Sequence, residues 1–229
     1  MPEGESEDVE KAPYVSGDRN LVAARDINVN VTTGVDPVTH ATVISQSERM
    51  KRALAKFGVD ADSEDFEANI DRVLEEASQA KDSSFDSEEL LGLGFASFHR
   101  GRNSRAEGYF RESLKMFEKS GDMHGKATVL GCLGTVAQRI GEYEEARELF
   151  GESLRIGQDL EDKYLISSGL GEMGMTEFAS GNFAEAEKLI SESLAIKNED
   201  PEGFDQSAFA ASLNNLGLIY QNTSRLKEA

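Results

Sequence analysis

Three stretches of this sequence hold residue types whose spacing could do chemistry. Gly169, Gly171 and Gly174 stand in G-x-G-x-x-G spacing behind the apolar piece that begins at Tyr164, a pattern in which glycines let a backbone approach a dinucleotide pyrophosphate. Ser120 to Thr128 approximates a phosphate-cradling loop through Gly125 and Lys126. It lacks the first glycine, and Ala127 stands where a Ser or Thr hydroxyl would meet a magnesium ion. Cys132 is the one cysteine, and no histidine recurs near it to draw off its proton. His40, His99 and His124 have no metal-ligand spacing, and the carboxylates form no distinct pair. The reading is therefore of no catalytic, cofactor or metal site, and of a chain that is not an enzyme.

Internal repetition supplies another explanation for the glycines. Leu93-Gly94, Gly101, Ala106, Phe110, Ser113 and Leu114 return 40 residues later as Leu133-Gly134, Gly141, Ala146, Phe150, Ser153 and Leu154. They return again as Met173-Gly174, Gly181, Ala186, Ile190, Ser193 and Leu194, with Tyr143 and Phe183 sharing one more position. A fourth passage begins 43 residues on, with Leu216-Gly217, Tyr220, Leu226 and Ala229. In this register Gly174 aligns with Gly94 and Gly134, and Gly171 with Gly131, so these are helix-crossing positions and not a nucleotide loop. The Gly125-Lys126 stretch falls at a turn between units. Cys132 takes the place held by Gly92 and Glu172.

The spacing predicts a helix hairpin in each unit. Gly beside Leu lets a second helix cross closely, and the Gly seven residues later ends the first helix in a left-handed cap. Ala106, Ala146 and Ala186 keep the two backbones near each other. Phe or Ile four residues on, and Leu four beyond that, form the expected buried stripe. One hairpin cannot bury that stripe alone, so neighbours must stack.

These residues resemble the tetratricopeptide repeat in its longer form of about 40 residues. Ala211 to Ala229 is similar to kinesin-light-chain-type repeats. Ser97, Ala137 and Glu177 depart from the pattern by replacing its usual aromatic, Asn103 stands without an aromatic after Gly101, and the trailing proline is missing. The resemblance implies an all-α, right-handed α-solenoid over 86–229, of about three and a half repeats. Ala229 corresponds to Ala186, so the last unit lacks its second helix, Leu213, Leu216 and Ile219 should stand partly open, and the chain reads as a fragment of a longer repeat protein.

Residues 46–85 read as a capping hairpin or a degenerate repeat. Met50, Ala53, Leu54 and Phe57 share a face of a helix over 47–57, and Phe66, Ile70, Val73, Leu74 and Ala77 share a face of one over 65–81. Residues 13–45 are rich in Val, Thr, Asn and Gly, alternate in period two from Ile27 to Thr32, and read as a short β-rich segment. Val15 to Val31 is similar to a stretch preceding helical domains in some prokaryotic signalling and defence proteins. Residues 1–12 are acidic, almost without apolar content, and expected to be disordered.

Composition narrows the partners. The chain has 229 residues and a net charge of −19, which argues against phosphate-rich nucleic acid and anionic membrane. No apolar run reaches the ~18 residues of a spanning helix, and the N-terminus has no secretory signal, so the expected location is the cytoplasm. Acidic residues spread from Glu3 to Glu228 suit a solvated coat in a high-salt host.

The resemblance implies a scaffold that binds a peptide or protein partner in its concave groove. First helices line that groove, and an Asn amide both donates to and accepts from a peptide backbone. Asn215 and Asn222 match such positions, with His99, Gln138 and Arg139 in comparable places of earlier units. Gly92, Gly131 and Gly171 leave room there for a ligand or for tighter packing. The β-rich segment is expected to dock or to form a homo-oligomer by strand addition. The alternative is a regulator or sensor of a prokaryotic signalling or defence system whose effector domain lies outside this chain.

Overall fold

The computed structural model describes residues 46–59, 66–79, 85–201, 203–204 and 206–223. The expected segments 1–12 and 13–45, with His40, Leu226 and Ala229, lie outside them. Nine α-helices and no strands occur among the described residues: α1 (Gln46–Ala55), α2 (Phe66–Gln79), α3 (Ser87–His99), α4 (Asn103–Ser120), α5 (Met123–Ile140), α6 (Tyr143–Asp159), α7 (Lys163–Ala179), α8 (Phe183–Glu199) and α9 (Gln206–Asn222). Helices α3/α4, α5/α6 and α7/α8 form hairpins that stack in chain order, and α9 closes on α8. This is the α-solenoid expected from the repeat.

The punctuation is as the spacing predicts. Gly101, Gly141 and Gly181 take φ of 69°, 87° and 83° and end α3, α5 and α7. Each first helix opens on an aspartate cap. Asp86 accepts from the Glu89 amide while Glu89 accepts from the Asp86 amide, both at 2.8 Å. Asp122 accepts from Gly125 N at 2.8 Å and Asp162 from Leu165 N at 3.0 Å.

The Leu-Gly glycines lie under the second helix of their own hairpin. A Cβ on Gly94 or Gly134 would meet the ring of Phe110 at 2.2 Å or of Phe150 at 2.7 Å, and one on Gly174 would meet Ile190 at 2.6 Å. Ala106, Ala146 and Ala186 are fully buried. Gly169 packs closely on Leu154, whereas a Cβ on Gly131 or Gly171 would meet the hydroxyl of Ser153 or Ser193 only at an ordinary contact distance of 3.9 or 3.6 Å.

The buried stripe itself needs correction. Leu114, Leu154 and Leu194 are only half-buried, whereas the serines before them are 0, 5 and 0% exposed. Ser113, Ser153 and Ser193 each donate to a carbonyl 26 residues back, on Ser87, Ala127 and Ser167, at 2.7, 2.8 and 2.7 Å. The bond lets a polar residue occupy a buried place between two helices. On α9, Leu213 is 56% exposed, but Leu216 and Ile219 are buried against Ala186 and Ile190, so that face is covered more than expected.

Helix α1 departs from the regular stacking. It packs on α3 more closely than one first helix packs on the next elsewhere, while α2 holds back. The absence of a side chain at Gly92 permits this, since a Cβ there would lie 2.3 Å from the Arg49 carbonyl oxygen. Arg49, 6% exposed, pairs with Glu88 at 2.5 Å, and Lys56 pairs with Glu89.

Candidate functional site

Two rows of side chains follow from the register, seven residues apart and therefore on one face of each first helix. The first row is Gly92, Cys132, Glu172 and Asn215, on α3, α5, α7 and α9. The second is His99, Arg139, Ala179 and Asn222 on the same helices.

The structure brings His99 and Arg139 together through Phe98. The Arg139 guanidinium lies 3.4 Å from the Phe98 ring centroid and donates from Nη1 to the Phe98 carbonyl at 2.8 Å. The Phe98 and His99 rings are 6.1 Å apart, and His99 is exposed. Stacking on an aromatic face and a fixed carbonyl acceptor hold the guanidinium plane in one orientation.

Gln138 is 4% exposed. Its amide nitrogen donates to Thr176 Oγ1 at 2.9 Å and to the Glu172 carbonyl at 3.4 Å, which ties α5 to α7 beneath the second row. At the other end of the same two helices, His124 Nε2 lies 3.3 Å from Asp162 Oδ2. Asn215 is half-buried on α9. Asn222 is exposed, and its amide donates to the Leu218 carbonyl at 2.8 Å.

Electrostatically the first row is an uneven floor. Burial pushes the Cys132 thiol up to about 12 and raises the Glu172 carboxyl above the usual carboxylate range. A thiol held protonated is a poor nucleophile. Helix α1 covers the row at Gly92, and the Arg49 charge is felt at Cys132 and His124 on α5.

Sequence reasoning missed Glu172 as a floor residue and α1 as the element over Gly92. The signal available was the register itself, since Gly, Cys, Glu and Asn at one repeat position mark a place that core packing does not fix. A shallow cavity of about 200 Å³ lies between α2 and α4, lined by Ala77, Ser78, Arg105, Gly108, Tyr109 and Glu112, and it brings no nucleophile beside a base. Among the described residues no group of three or more His, Cys, Asp or Glu could hold a metal, and no helix is long and apolar enough to cross a membrane.

Comparison with known proteins agrees with this fold. The family described as Tetratricopeptide repeat matches residues 86–159. No curated protein matches the chain. Among solved structures, the chain is similar to BtubC (BKLC) from P. vanneervenii, with 20% identity and a TM-score of 0.56 over 80% of this chain and 72% of that one. It is also similar to the kinesin light chain repeats of Podospora anserina, with 17% identity and a TM-score of 0.52 over 80% and 87%. A Rap protein complexed with Competence and Sporulation Factor gives 18% identity and a TM-score of 0.63 over 80% of this chain and 50% of that chain. At such identities the likeness is one of fold.

Proposed function

From a chain whose residues 86–159 carry tetratricopeptide repeats, we propose a non-enzymatic scaffold that holds an extended segment of a peptide or protein partner against its two rows of first-helix side chains. The observation that carries this reading is Arg139, fixed over the Phe98 ring beside His99 in the second row. Of the five residues expected from sequence, His99, Arg139, Asn215 and Asn222 are the proposed contacts. Gln138, engaged with Thr176, sets the spacing between α5 and α7.

The form of the partner follows from α1. A helix rests against α3 because Gly92 has no side chain, whereas Cys132, Glu172 and Asn215 stand at the same position further along. Those side chains suit an extended backbone, whose amides and carbonyls the Asn215 and Asn222 amides can meet.

The test is selection of displayed random peptides on the immobilised full chain. Arg139→Ala and Asn215→Ala should each lower affinity for the selected peptides about tenfold or more, roughly 1.4 kcal/mol, with helical content unchanged. Equal affinity in both variants would remove the assignment. The oligomerisation proposed for residues 13–45 is tested by size-exclusion chromatography with residues 1–45 removed, and an unchanged apparent mass counts against it. The regulator reading draws on the Rap protein, which shares the fold and is complexed with Competence and Sporulation Factor; an effector domain encoded downstream would favour it.

A further inference from the structure

The seams between hairpins close on apolar packing. Phe117 of α4 lies over Gly125, where a Cβ would meet the ring at 2.3 Å, and Leu165 of α7 lies over Gly157, where one would meet its Cβ at 2.8 Å. The turns that cross these seams hold other large side chains outside. Of the six large apolar residues most exposed among the described residues, Met123, Leu160 and Tyr164 stand at or beside these turns, at 41, 44 and 49%. Such turns share one edge of the array, because each first helix starts there and each second helix returns to it.

Contacts link the turns into a row. His124, next to Met123, reaches Asp162 at 3.3 Å, and Tyr164 stacks on Phe204 with ring centroids 6.3 Å apart and planes 17° apart. The turn that carries Phe204 is three residues longer than its sisters, and Gly203 N donates to the Asp200 carbonyl at 3.1 Å around Pro201. The added residues set Phe204 on an exposed ring rather than into the buried cluster of Ile190, Leu216 and Ile219. Scattered surface apolar residues need no explanation, but a linked row of them marks an interaction surface.

Charge specifies the partner. In sequence the spans 118–126, 158–166 and 198–206 hold nine carboxylates and three lysines, and the last of them holds four carboxylates with no lysine or arginine. Asp122 and Asp162 cap α5 and α7, whereas Glu161 and Glu199 are exposed. We propose that this edge docks a basic amphipathic helix of a partner protein, with its apolar side chains on Met123, Leu160 and the Tyr164–Phe204 pair. Its Lys or Arg side chains meet the carboxylates of the turns, and an Arg can lie over the open Tyr164 ring. Neighbouring helices stand about 8–10 Å apart, close to the about 10.5 Å that seven helical residues rise, whereas same-side residues of a strand recur at about 6.6 Å. A second copy is a poor occupant, because two chains of −19 repel.

The full chain is titrated with three model peptides: leucine and lysine at the helical period, leucine and glutamate at the same period, and leucine and lysine in strict alternation. The first should bind about tenfold or more tightly than either of the others. Tyr164→Ser combined with Phe204→Ser should remove that advantage with helical content unchanged, since both rings lie outside the core, and Leu160→Ser should weaken it on its own. Arg139→Ala should leave it intact, which separates this edge from the groove. Equal binding of the lysine and glutamate peptides, or an advantage that survives loss of both rings, overturns the docking surface. Equal or better binding of the alternating peptide overturns the helical partner, and loss of binding in Arg139→Ala moves the peptide to the groove and overturns the edge.

Discussion

At the turn between hairpins, Gly121 and Glu161 hold the same register position, and both adopt the left-handed backbone, at φ 76° and 54°. Glycine does so freely, whereas a side-chain-bearing residue pays about 1–2 kcal/mol. Glu161 is exposed, so nothing but the backbone is at stake. Glu161→Gly should raise stability by up to about 1 kcal/mol after the extra chain entropy of glycine is counted, measured as a higher Tm. Ser153→Ala, in contrast, deletes the hydroxyl that bonds the Ala127 carbonyl; it should cost about 1 kcal/mol, or roughly 2–4 °C in Tm for a domain of this size. The turn glycines were legible in the sequence because only their backbone freedom explains them. The serines were visible as repeats, but their burial was not, because a lone Ser inside a helix reads as a solvent-facing residue until its acceptor is known. Glu177 illustrates the same limit. Standing where the family has an aromatic, it is 9% exposed and accepts from Arg147 Nε and Asn182 Nδ2, both at 2.6 Å, a solution no pattern of apolar residues predicts.

Between elements, α5 and α7 are joined at both ends, by Gln138–Thr176 and by His124–Asp162. Hydrogen bonding to Asp162 raises His124 above its ordinary value, and the same bond lowers Asp162. Asp122 adds to the first shift, and Arg49 on α1 opposes it. The histidine contribution is present in full below its unfolded value near 6.5 and is lost as pH rises through the higher folded value. The aspartate contribution is present above about 3.9 and is lost as pH falls through the lower folded value. Both partners are a quarter to a third exposed, so the effect is less than about 1 kcal/mol. His124→Gln should therefore flatten the decline in Tm between about pH 6 and pH 8; an unaltered slope would show that the pair is not what titrates. The hairpins were legible from periodicity, and the close seat of α1 was not, because Gly92 reads equally as room for a ligand or for a helix.

Taken whole, the array is an acidic body with its ion pairs spent locally. Arg111 bridges Glu107 and Glu145, and Lys126 bridges Glu118 and Glu152, yet the chain still carries −19. Like charges at that density repel across the surface, and screening shortens their reach from about 10 Å at 0.1 M salt to about 3 Å at 1 M. Raising NaCl from 0.1 to 1 M should raise Tm, whereas a fall would mean that the local ion pairs outweigh the net repulsion and that the high-salt reading has no support in stability.

The seams also fix an order. Phe117 needs the bare Gly125, and Leu165 needs the bare Gly157, so large and small alternate sides from one junction to the next. Excising residues 122–161 would leave a continuous chain with its turn and its aspartate cap intact, yet it would press Phe117 onto Leu165. That shortened protein should fold poorly, and Leu165→Gly within it should restore cooperative melting. Hairpins alike enough to be recognised as copies are thus keyed against being shuffled, dropped or duplicated.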